Sequence, residues 1–349
     1  MLAPVTHILP LTVIRRSRTL PVPGRLEVRP GQKVNASDVV AVAHIPSGHM
    51  SLDIRRSLGI PRASDAERCI IRHQGDRLEK GDIIAEAEGV FSRIVRAPVN
   101  GEIVSISGGK VLLRVRTTEI DVRAGFNGMV SELVSDFGAV IETSGSLVQG
   151  VWGNGRVDSG LLFRVAQSPD DEFTRQHIDV SMRGAVVLGG HCSDPEALRA
   201  AAELPLRGLI LASITADLVP VASSLNIPIL VVDGFGRLPL NTCAFDLLKN
   251  SEKRDVSVNA TFNQATGERP ELVIPLPADG QVAKDADYFA PGQLVRIQGM
   301  PYTGKLGTIV QLRRGSFTLP NGLKVQAADV NIDGDTRITI PLANLEVIE

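Results

Sequence analysis

Short runs of β-branched residues, separated by glycine turns, form the pattern of the first half of the chain. Residues 24–46 show it, and a short strand, a glycine turn and an Ile/Val/Ala-rich strand return at 75–90. Alternating apolar and polar positions then flank the Gly108-Gly109 pair, which is typical of a tight turn between strands. The pattern predicts a compact antiparallel β region over residues 1–175.

The periodicity changes near residue 182, where buried-type strands begin to alternate with amphipathic helices. Ser193-Asp194-Pro195 supplies an N-cap and a proline in a first helical turn. The predicted elements are strands at 184–190, 207–212, 227–232 and 255–260, and helices at 196–204, 215–225 and 240–249. Alternation at this spacing predicts right-handed βαβ units and a small parallel sheet, in an α/β domain at 176–268.

The last part of the chain is again all β. Pro270, Pro275 and Pro277 separate it from the α/β segment and favour a linker or an edge crossing there. A hairpin pattern follows at 289–310, and the last residues have the pattern of a closing strand. We therefore predict a multidomain, mainly β protein with one α/β domain, whose third domain covers residues 269–349.

Length and composition support folded domains and limit the partners. A chain of 349 residues has material for roughly two to four domains. Its 43% apolar and 22% charged residues argue against general disorder. Lys plus Arg number 37 and Asp plus Glu 39, a net charge of -2, so bulk electrostatic capture by nucleic acid or an anionic membrane is excluded. Any such binding must be local.

The three cysteines point to a reducing environment. Cys69, Cys192 and Cys243 are far apart and form no CxxC pair, which excludes a zinc ribbon and a disulfide framework. We expect a cytoplasmic protein with no metal site. No apolar stretch approaches the roughly 20 residues that cross a bilayer, so no transmembrane segment is predicted.

Two stretches of the N-terminal region share a family pattern. Residues 78–85 contain Leu-Glu-Lys-Gly followed by Ile-Ala, and residues 97–103 read Ala-Pro-Val-Asn-Gly-Glu-Ile. Over roughly residues 20–165 the chain thus resembles the barrel-sandwich hybrid fold, which is found in lipoyl and biotinyl carriers and in the N-terminal part of one component of the Rnf electron-transfer complex. Carriers hold a modified lysine at a hairpin tip, where this chain has Lys110 without the flanking Met or Asp. A solvated turn lysine is the simpler interpretation, and we predict no cofactor.

The α/β segment also has a family rhythm. Residues 207–212 and the Ile-Pro-Ile-Leu-Val stretch at 227–231 resemble the swivelling phosphohistidine domain and the protease-associated insert. The first family implies a histidine at the start of the helix before the last strand, where this chain reads Ser213-Ile-Thr-Ala-Asp217. The second has no catalytic residues, and it implies a binding or spacer domain.

The best candidate for a ligand site or a reactive group is a strand-to-helix turn of this domain. Its residues are Gly189, Gly190, His191, Cys192 and Ser193. Backbone N–H groups at such a turn can receive an anion or activate a thiol, and the fold could bring up Asp217 or Asp233 as an acid. Asp233 itself follows a strand, where α/β sheets place ligands. The alternative is structural: a glycine turn, a capping serine, a packed cysteine and a plain turn at Asp233.

The hairpin at 289–310 has a more specific spacing. Its defining positions are Gly292, Val295, Ile297, Pro301, Gly304, Gly307 and Ile309. They resemble the KOW motif, one hairpin of an SH3-like barrel that binds RNA or protein through loops around the hairpin. The residues that this resemblance offers for partner binding are Tyr302, Lys305, Arg313 and Arg314. From Phe289 onward the chain has six basic and five acidic residues, a net of +1, which is a weak footprint for RNA.

These observations favour a non-catalytic scaffold or binding protein. Neither β region has a paired acid and base, a nucleophile with a partner, or metal-ligand spacing. The C-terminal barrel would contact a protein or an RNA or ribonucleoprotein partner. The alternatives are an enzyme or redox sensor that uses Cys192, and a cofactor-carrier-like protein.

Overall fold

Strands make up most of the secondary structure. The computed structural model describes residues 2–87, 93–263, 267–277, 286–332, 334 and 336–349, without the side chains at 46, 47, 116, 117 and 286. Strands account for 49% of the structure and helices for 14%, so the prediction of a mainly β protein is confirmed. The chain forms two compact units, a smaller one of Thr19–Glu27 and Ala41–Val122 and a larger one of all other residues. No helix among the described residues has the length and apolarity needed to cross a membrane.

Strands and two short helices cover the described chain up to residue 164. In chain order they are β1 (Leu2–Thr6), β2 (Ile8–Thr19), β3 (Arg25–Leu26), β4 (Lys33–Val34), β5 (Val39–Asp53), α1 (Ile54–Leu58), α2 (Ala63–Arg68), β6 (Arg77–Leu78), β7 (Ile83–Ala87), β8 (Arg93–Arg96), β9 (Gly101–Ser107), β10 (Lys110–Arg123), β11 (Gly128–Val134), β12 (Gly138–Gln149), β13 (Trp152–Gly153) and β14 (Val157–Arg164).

The smaller unit contains a five-stranded sheet in the order β3-β5-β10-β9-β6 and the separate pair β7-β8. Gly108 and Gly109, with φ of 63° and 72°, form the tight turn between β9 and β10, as their sequence predicts. The apolar positions of α1, β9 and β10 meet in one core, which includes Ile54, Ile103 and Leu113. The helix α1 therefore closes one side of this unit because its two buried residues face the sheet.

The α/β segment is present where the sequence places it. Its elements are 3-10 turns at Arg175–His177 and Val180–Met182, β15 (Val186–Leu188), β16 (His191–Cys192), α3 (Pro195–Glu203), β17 (Gly208–Ile214), a 3-10 turn at Ala216–Leu218, α4 (Val219–Ser224), β18 (Ile229–Phe235), α5 (Thr242–Lys249), β19 (Asp255–Asn259) and β20 (Glu271–Pro275). The strands β14, β15, β17 and β18 pair in parallel. The predicted parallel pairing is thus confirmed.

The parallel strands belong to a larger mixed sheet. Its order is β13-β18-β17-β15-β14-β19-β20-β12-β11-β4, with β16 on β17 and β2 on β12. The strand β14 pairs with β15 on one side and with β19 on the other, so the sheet runs without a break across residues 175 and 268. The predicted boundaries at these positions therefore lie inside the larger unit. The reason is that the strands around these positions are paired neighbours: β12 pairs with β20, β20 with β19, and β19 with β14. Their backbone N–H and C=O groups are therefore satisfied within one sheet.

The C-terminal segment forms a second sheet. Its elements are β21 (Ala286–Tyr288), β22 (Leu294–Ile297), β23 (Leu306–Leu312), β24 (Phe317–Thr318), β25 (Lys324–Val325), β26 (Ala327–Ile332), β27 (Thr336–Pro341), a 3-10 turn at Leu342–Asn344 and β28 (Leu345–Ile348). The predicted hairpin is the antiparallel pair β22-β23, and the predicted last strand is β28, paired with β22.

One strand of this sheet comes from the opposite end of the sequence. The order is β21-β1-β28-β22-β23-β26-β27, so β1 lies between β21 and β28. Ala3 and Val5 of β1 are buried in the core of this sheet, beside Val347 and Val295. The predicted third domain at 269–349 therefore lacks a strand that the structure supplies from residues 2–6. The alternation of buried and exposed positions in β1 is the physical reason for this placement.

Candidate functional site

The carboxyl edge of the parallel strands is closed by a neighbouring segment. A Cβ atom on Gly190 would collide with the carbonyl oxygen of Asp171, and one on Gly189 would lie 2.8 Å from the Phe173 ring. The backbone of His191 donates to Asp171 at 2.8 Å and accepts from Phe173 at 2.6 Å. The two glycines are thus needed for close backbone packing, which is the structural alternative for them. The space above them is filled by protein.

His191 is 5% exposed, and its bonds determine its tautomer. The hydroxyl of Ser213 donates to the Leu238 carbonyl at 2.7 Å and accepts from the Leu238 amide at 3.0 Å. Because that hydroxyl has one hydrogen, the contact of 2.9 Å with His191 Nδ1 requires the imidazole to donate there. Burial lowers the pKa of His191, so the ring is neutral at pH 7 and Nε2 carries a lone pair.

Polar groups surround this imidazole. Glu172 forms a parallel β-bridge with His191, and the Ser193 hydroxyl donates to its carboxylate at 2.6 Å. This bond lowers the pKa of Glu172, and the Arg237 charge adds to the effect. An imidazole acceptor, a carboxylate and a guanidinium can hydrogen-bond a polar ligand. Among the described residues no group of three or more His, Cys, Asp or Glu side chains could hold a metal ion.

Cys192 lies in an environment that suppresses thiol chemistry. Its side chain is fully buried in a core cluster with Leu198 and Ile214. Burial raises the pKa of the thiol to about 11, whereas reactive cysteines have lowered values. The N-cap of α3 is Asp194, whose carboxylate accepts from the Glu196 amide at 2.9 Å. Asp217 is exposed in the 3-10 turn Ala216–Leu218, which follows β17. The packed-cysteine alternative is therefore favoured for Cys192.

Asp233 is engaged in a buried ion pair. Its carboxylate accepts from Arg296 Nη1 at 2.7 Å and from the backbone and side chain of Asn241 at 2.8 and 3.0 Å. Arg296, with 3% of its side chain exposed, also binds Glu346 through Nη2 at 2.6 Å. One arginine thus joins the end of β18 to the C-terminal strands β22 and β28. These contacts use both oxygens of Asp233 within the fold.

Glu346 is the second acid of this network. It accepts from Thr6, from Arg269 at 2.7 Å and from Gln298 at 3.0 Å, besides Arg296. Burial alone would raise its pKa, but Arg296 and the other donors outweigh burial and lower the pKa to about 2. Sequence reasoning missed this network. Its signal is a charged residue inside a short apolar strand, as in Leu-Val-Arg-Ile of β22 and Leu-Glu-Val-Ile of β28.

The four residues predicted to bind a partner lie at two ends of β23. Tyr302 and Lys305 precede the strand, and Arg313 and Arg314 follow it. Seven strand residues separate the two pairs by roughly 20 Å, so the structure does not bring them together in one patch. Tyr302 is half-buried against the core of the C-terminal sheet, while Lys305 and Arg314 are exposed.

A second buried acid, Asp329, organises the far end of β23. It accepts from Arg313 at 2.9 Å, Arg337 at 3.0 Å and Thr339 at 2.7 Å. Burial opposes its ionisation, yet these donors hold the pKa of Asp329 well below its usual range. Of the six cations counted from the sequence, Arg296, Arg313 and Arg337 are thus in ion pairs. Two of the five acids, Asp333 and Asp335, lie outside the described residues.

Lys110 is exposed beside the predicted hairpin tip of the smaller unit. The tip rests on α1, because the Gly109 carbonyl accepts from the Ile54 amide at 3.0 Å and from the Arg55 amide at 3.2 Å. The Gly109 amide in turn donates to Glu67 at 3.1 Å. The turn next to Lys110 is therefore held in place by both helices of that unit.

A comparison with models of known protein families found no match, and a search of curated proteins found no significant match.

Proposed function

We propose that the protein is a non-catalytic binding protein whose C-terminal sheet contacts a partner protein. One observation carries the proposal. Residues 313–326, named here the hairpin extension, join β23 to β26 and expose apolar and cationic side chains together. Leu323 is 60% exposed, and Arg314 and Lys324 are exposed as well. An exposed large apolar side chain next to Lys324, in a segment that also exposes Arg314, fits an acidic, partly apolar protein surface.

A protein partner fits this surface better than RNA. Three of the six cations of the segment are in ion pairs with buried acids, so only part of its positive charge is offered to phosphates. Tyr302 packs on the core, so its ring is not a free platform for a base. An enzyme built on Cys192 is disfavoured because the thiol is buried and its pKa is raised to about 11.

The finer fold assignments belong to the same proposal. The β22-β23 hairpin with its glycine turn supports an SH3-like, KOW-type barrel for the C-terminal sheet. The β9-β10 hairpin and the sheet of the smaller unit support a barrel-sandwich-hybrid-like fold. Three unpaired cysteines support a reducing, cytoplasmic compartment. In this proposal the α/β segment and the smaller unit serve as a scaffold or a ligand-binding body.

The test uses the full chain as bait, because the C-terminal sheet needs β1. The double variant Arg314→Glu with Leu323→Glu reverses one charge and removes the apolar side chain of the hairpin extension. The control is Val180→Glu, which changes an apolar side chain that is 76% exposed and lies outside the hairpin extension. Captured proteins are identified by mass spectrometry. The protein captured in the largest amount is then purified and titrated against each variant.

Support requires a purified partner that binds after nuclease treatment, with an affinity that the double variant lowers at least about tenfold and the control leaves unchanged. Capture that disappears with nuclease would favour RNA and contradict the proposal. Equal binding by the double variant and the wild type would show that the surface lies elsewhere.

A further inference from the structure

The strand β27 forms one end of the C-terminal sheet. It pairs with β26 on one side, and no other described strand lies along its outer side. The Leu342 amide donates to the Gln326 carbonyl at 2.9 Å, in the register that the two strands share. Because hydrogen-bonded and non-hydrogen-bonded pairs alternate between antiparallel strands, the backbone groups of Arg337 and Thr339 point away from β26. They have no hydrogen-bond partner within the described part of the chain.

The pairing of β26 with its other neighbour supports this assignment. The Arg313 amide donates to the Ala327 carbonyl at 2.9 Å, so the odd-numbered residues of β26 bond to β23 and the even-numbered ones to β27. Pro341, which has no amide hydrogen, falls in the outward series of β27, where the sheet needs no donor. Arg337 and Thr339 therefore offer two donors and two acceptors to an added strand.

The side chains of β27 divide between two faces. Arg337 Nη2 donates to Asp329 at 3.0 Å, and the Thr339 hydroxyl donates to the same carboxylate at 2.7 Å. This face is polar, and its cation is paired. On the other face Ile338 packs against the core of the C-terminal sheet but stays only half-buried. An apolar side chain on an added strand would cover the exposed part of Ile338.

A second copy of β27 fits this edge best in one antiparallel register. Centred on Arg337, the register would place two like charges directly opposite each other, which is destabilising. Centred on Thr339, it would place Arg337 opposite Pro341, which cannot donate a hydrogen bond. Centred on Ile338, it places each Arg337 opposite the neutral Thr339 of the other copy and the two Ile338 residues opposite each other. The edge is thus complementary to itself in charge and in hydrogen bonding.

We propose that two copies of this chain associate through β27, antiparallel and with the twofold axis at Ile338. Four backbone hydrogen bonds join Arg337 of each copy to Thr339 of the other, and the two Ile338 side chains pack together in the closely spaced pair at the axis. The assembly stops at two copies, because both use the same edge. The inference does not depend on the partner of the hairpin extension.

The first test is sedimentation equilibrium of the full chain between about 10 µM and about 1 mM. Few residues take part, so we expect a weak dimer with a dissociation constant on the order of 100 µM. Thr339→Pro removes the outward amide hydrogen, whereas the matched control Thr339→Ala loses the same hydroxyl and keeps that hydrogen. Thr339→Pro should associate at least about tenfold more weakly than Thr339→Ala. Circular dichroism checks that each variant is folded.

The second test is cysteine cross-linking, which reads the register. In Ile338→Cys the two Cα atoms at the axis would lie about 4.5 Å apart, within the range of disulfide bonds. In Thr339→Cys they would be diagonal neighbours at about 7–8 Å or more, outside that range. With oxidised glutathione as the oxidant, Ile338→Cys should form a covalent dimer at least about tenfold faster than Thr339→Cys. The wild type, with its three free cysteines, gives the background rate.

If Thr339→Pro does not fold, the mass of the wild type and the two cysteine variants still decide. The mass of a single chain at every concentration, or assembly beyond two copies, would overturn the proposal. So would equal association of Thr339→Pro and Thr339→Ala, or equal cross-linking of Ile338→Cys and Thr339→Cys.

Discussion

His191 and Cys192 are chain neighbours whose chemistry is set by burial. The imidazole is kept neutral and the thiol is kept protonated, since neither charged form is solvated inside the fold. They differ in one respect. His191 holds the loop at Leu238 through Ser213, whereas Cys192 contacts mainly apolar side chains.

For Cys192 we expect slow thiol modification. In folded protein at pH 8, iodoacetamide should label the half-buried Cys69 and Cys243 before Cys192, which should react only on unfolding. Cys192→Ser should lower the free energy of unfolding by about 1–3 kcal/mol, because a hydroxyl would replace the thiol in an apolar site. Peptide mapping gives the order of labelling. Selective labelling of Cys192 well below pH 8.5 would rule out the non-catalytic interpretation.

For His191 we expect a stability that depends on pH. Because burial lowers the pKa of the folded imidazole, the unfolded chain binds the proton more readily. The contribution is complete above the ordinary histidine pKa of about 6.5 and is lost as the pH falls below it. Of the charges facing the ring, Glu172 opposes this shift and Arg237 adds to it.

Thermal unfolding between pH 8 and pH 5 measures this effect. The wild type and the exposed-histidine control His73→Gln should lose stability along the same curve, and His191→Gln should lose less over the same interval. A curve for His191→Gln that is parallel to the wild type would assign the pH dependence to other groups.

At the scale of elements, the strand β1 stabilises the C-terminal sheet from a distance in sequence. Val5 is 4% exposed and packs in the core of that sheet, while Leu2 of the same strand is 61% exposed. Val5→Ala should therefore lower the free energy of unfolding by about 1–3 kcal/mol, and Leu2→Ala should change it by less than about 0.5 kcal/mol. Chemical denaturation of the two variants provides the comparison. Equal effects would mean that β1 is not packed as described.

At the scale of the whole molecule, the Arg296 network joins the two sheets of the larger unit. Arg296→Met leaves the buried carboxylates of Asp233 and Glu346 without their shared cation, so we expect a loss of about 3–5 kcal/mol in unfolding free energy. Arg15→Met breaks an exposed pair with Glu132 and should cost less than about 1 kcal/mol. Urea titrations test both. A small effect of Arg296→Met would show that the network is dispensable.

Acid should weaken the same network. The pKa of Glu346 is lowered to about 2 in the folded chain, below the ordinary value of 4.5, so the unfolded chain binds the proton first. Its contribution is complete above pH 4.5 and is lost as the pH falls toward 2. The free energy of unfolding should therefore fall more steeply with decreasing pH across this interval in the wild type than in Glu346→Gln. Identical slopes would contradict the assignment.

Limited proteolysis tests the domain boundaries. The sequence predicts cutting near residues 170 and 270, between separate domains. In the structure the Pro169 carbonyl accepts from Leu240 at 2.9 Å and the Pro270 carbonyl accepts from Gly150 at 2.8 Å. We therefore expect no preference for either position, because bound backbone resists proteases. Mass spectrometry of the fragments decides, and preferred cuts at both positions would support the boundaries from sequence.

Local patterns predicted the local structure. The cap and proline of α3, the parallel βαβ strands and the glycine turn between β9 and β10 all depend on residues close together in the sequence. The partners of a strand edge or of a buried charged side chain can instead lie far away in the sequence. Thr6 and Glu346 are 340 residues apart, and no periodicity in either segment names the other. The four residues around β23 lie apart for a related reason, since residues that are near in sequence along an extended strand are distant in space.

The pairing of β1 with β28 also constrains the order of events during synthesis. Val5 pairs with Val347, so a ribosome making about 5–20 residues each second needs at least about 17 seconds between these two positions. Until β21 and β28 have been made, β1 has no native neighbour in the C-terminal sheet, so the larger unit cannot be completed by folding from the N-terminus onward. Such late, long-range closure is slow and leaves a strand edge open to other chains.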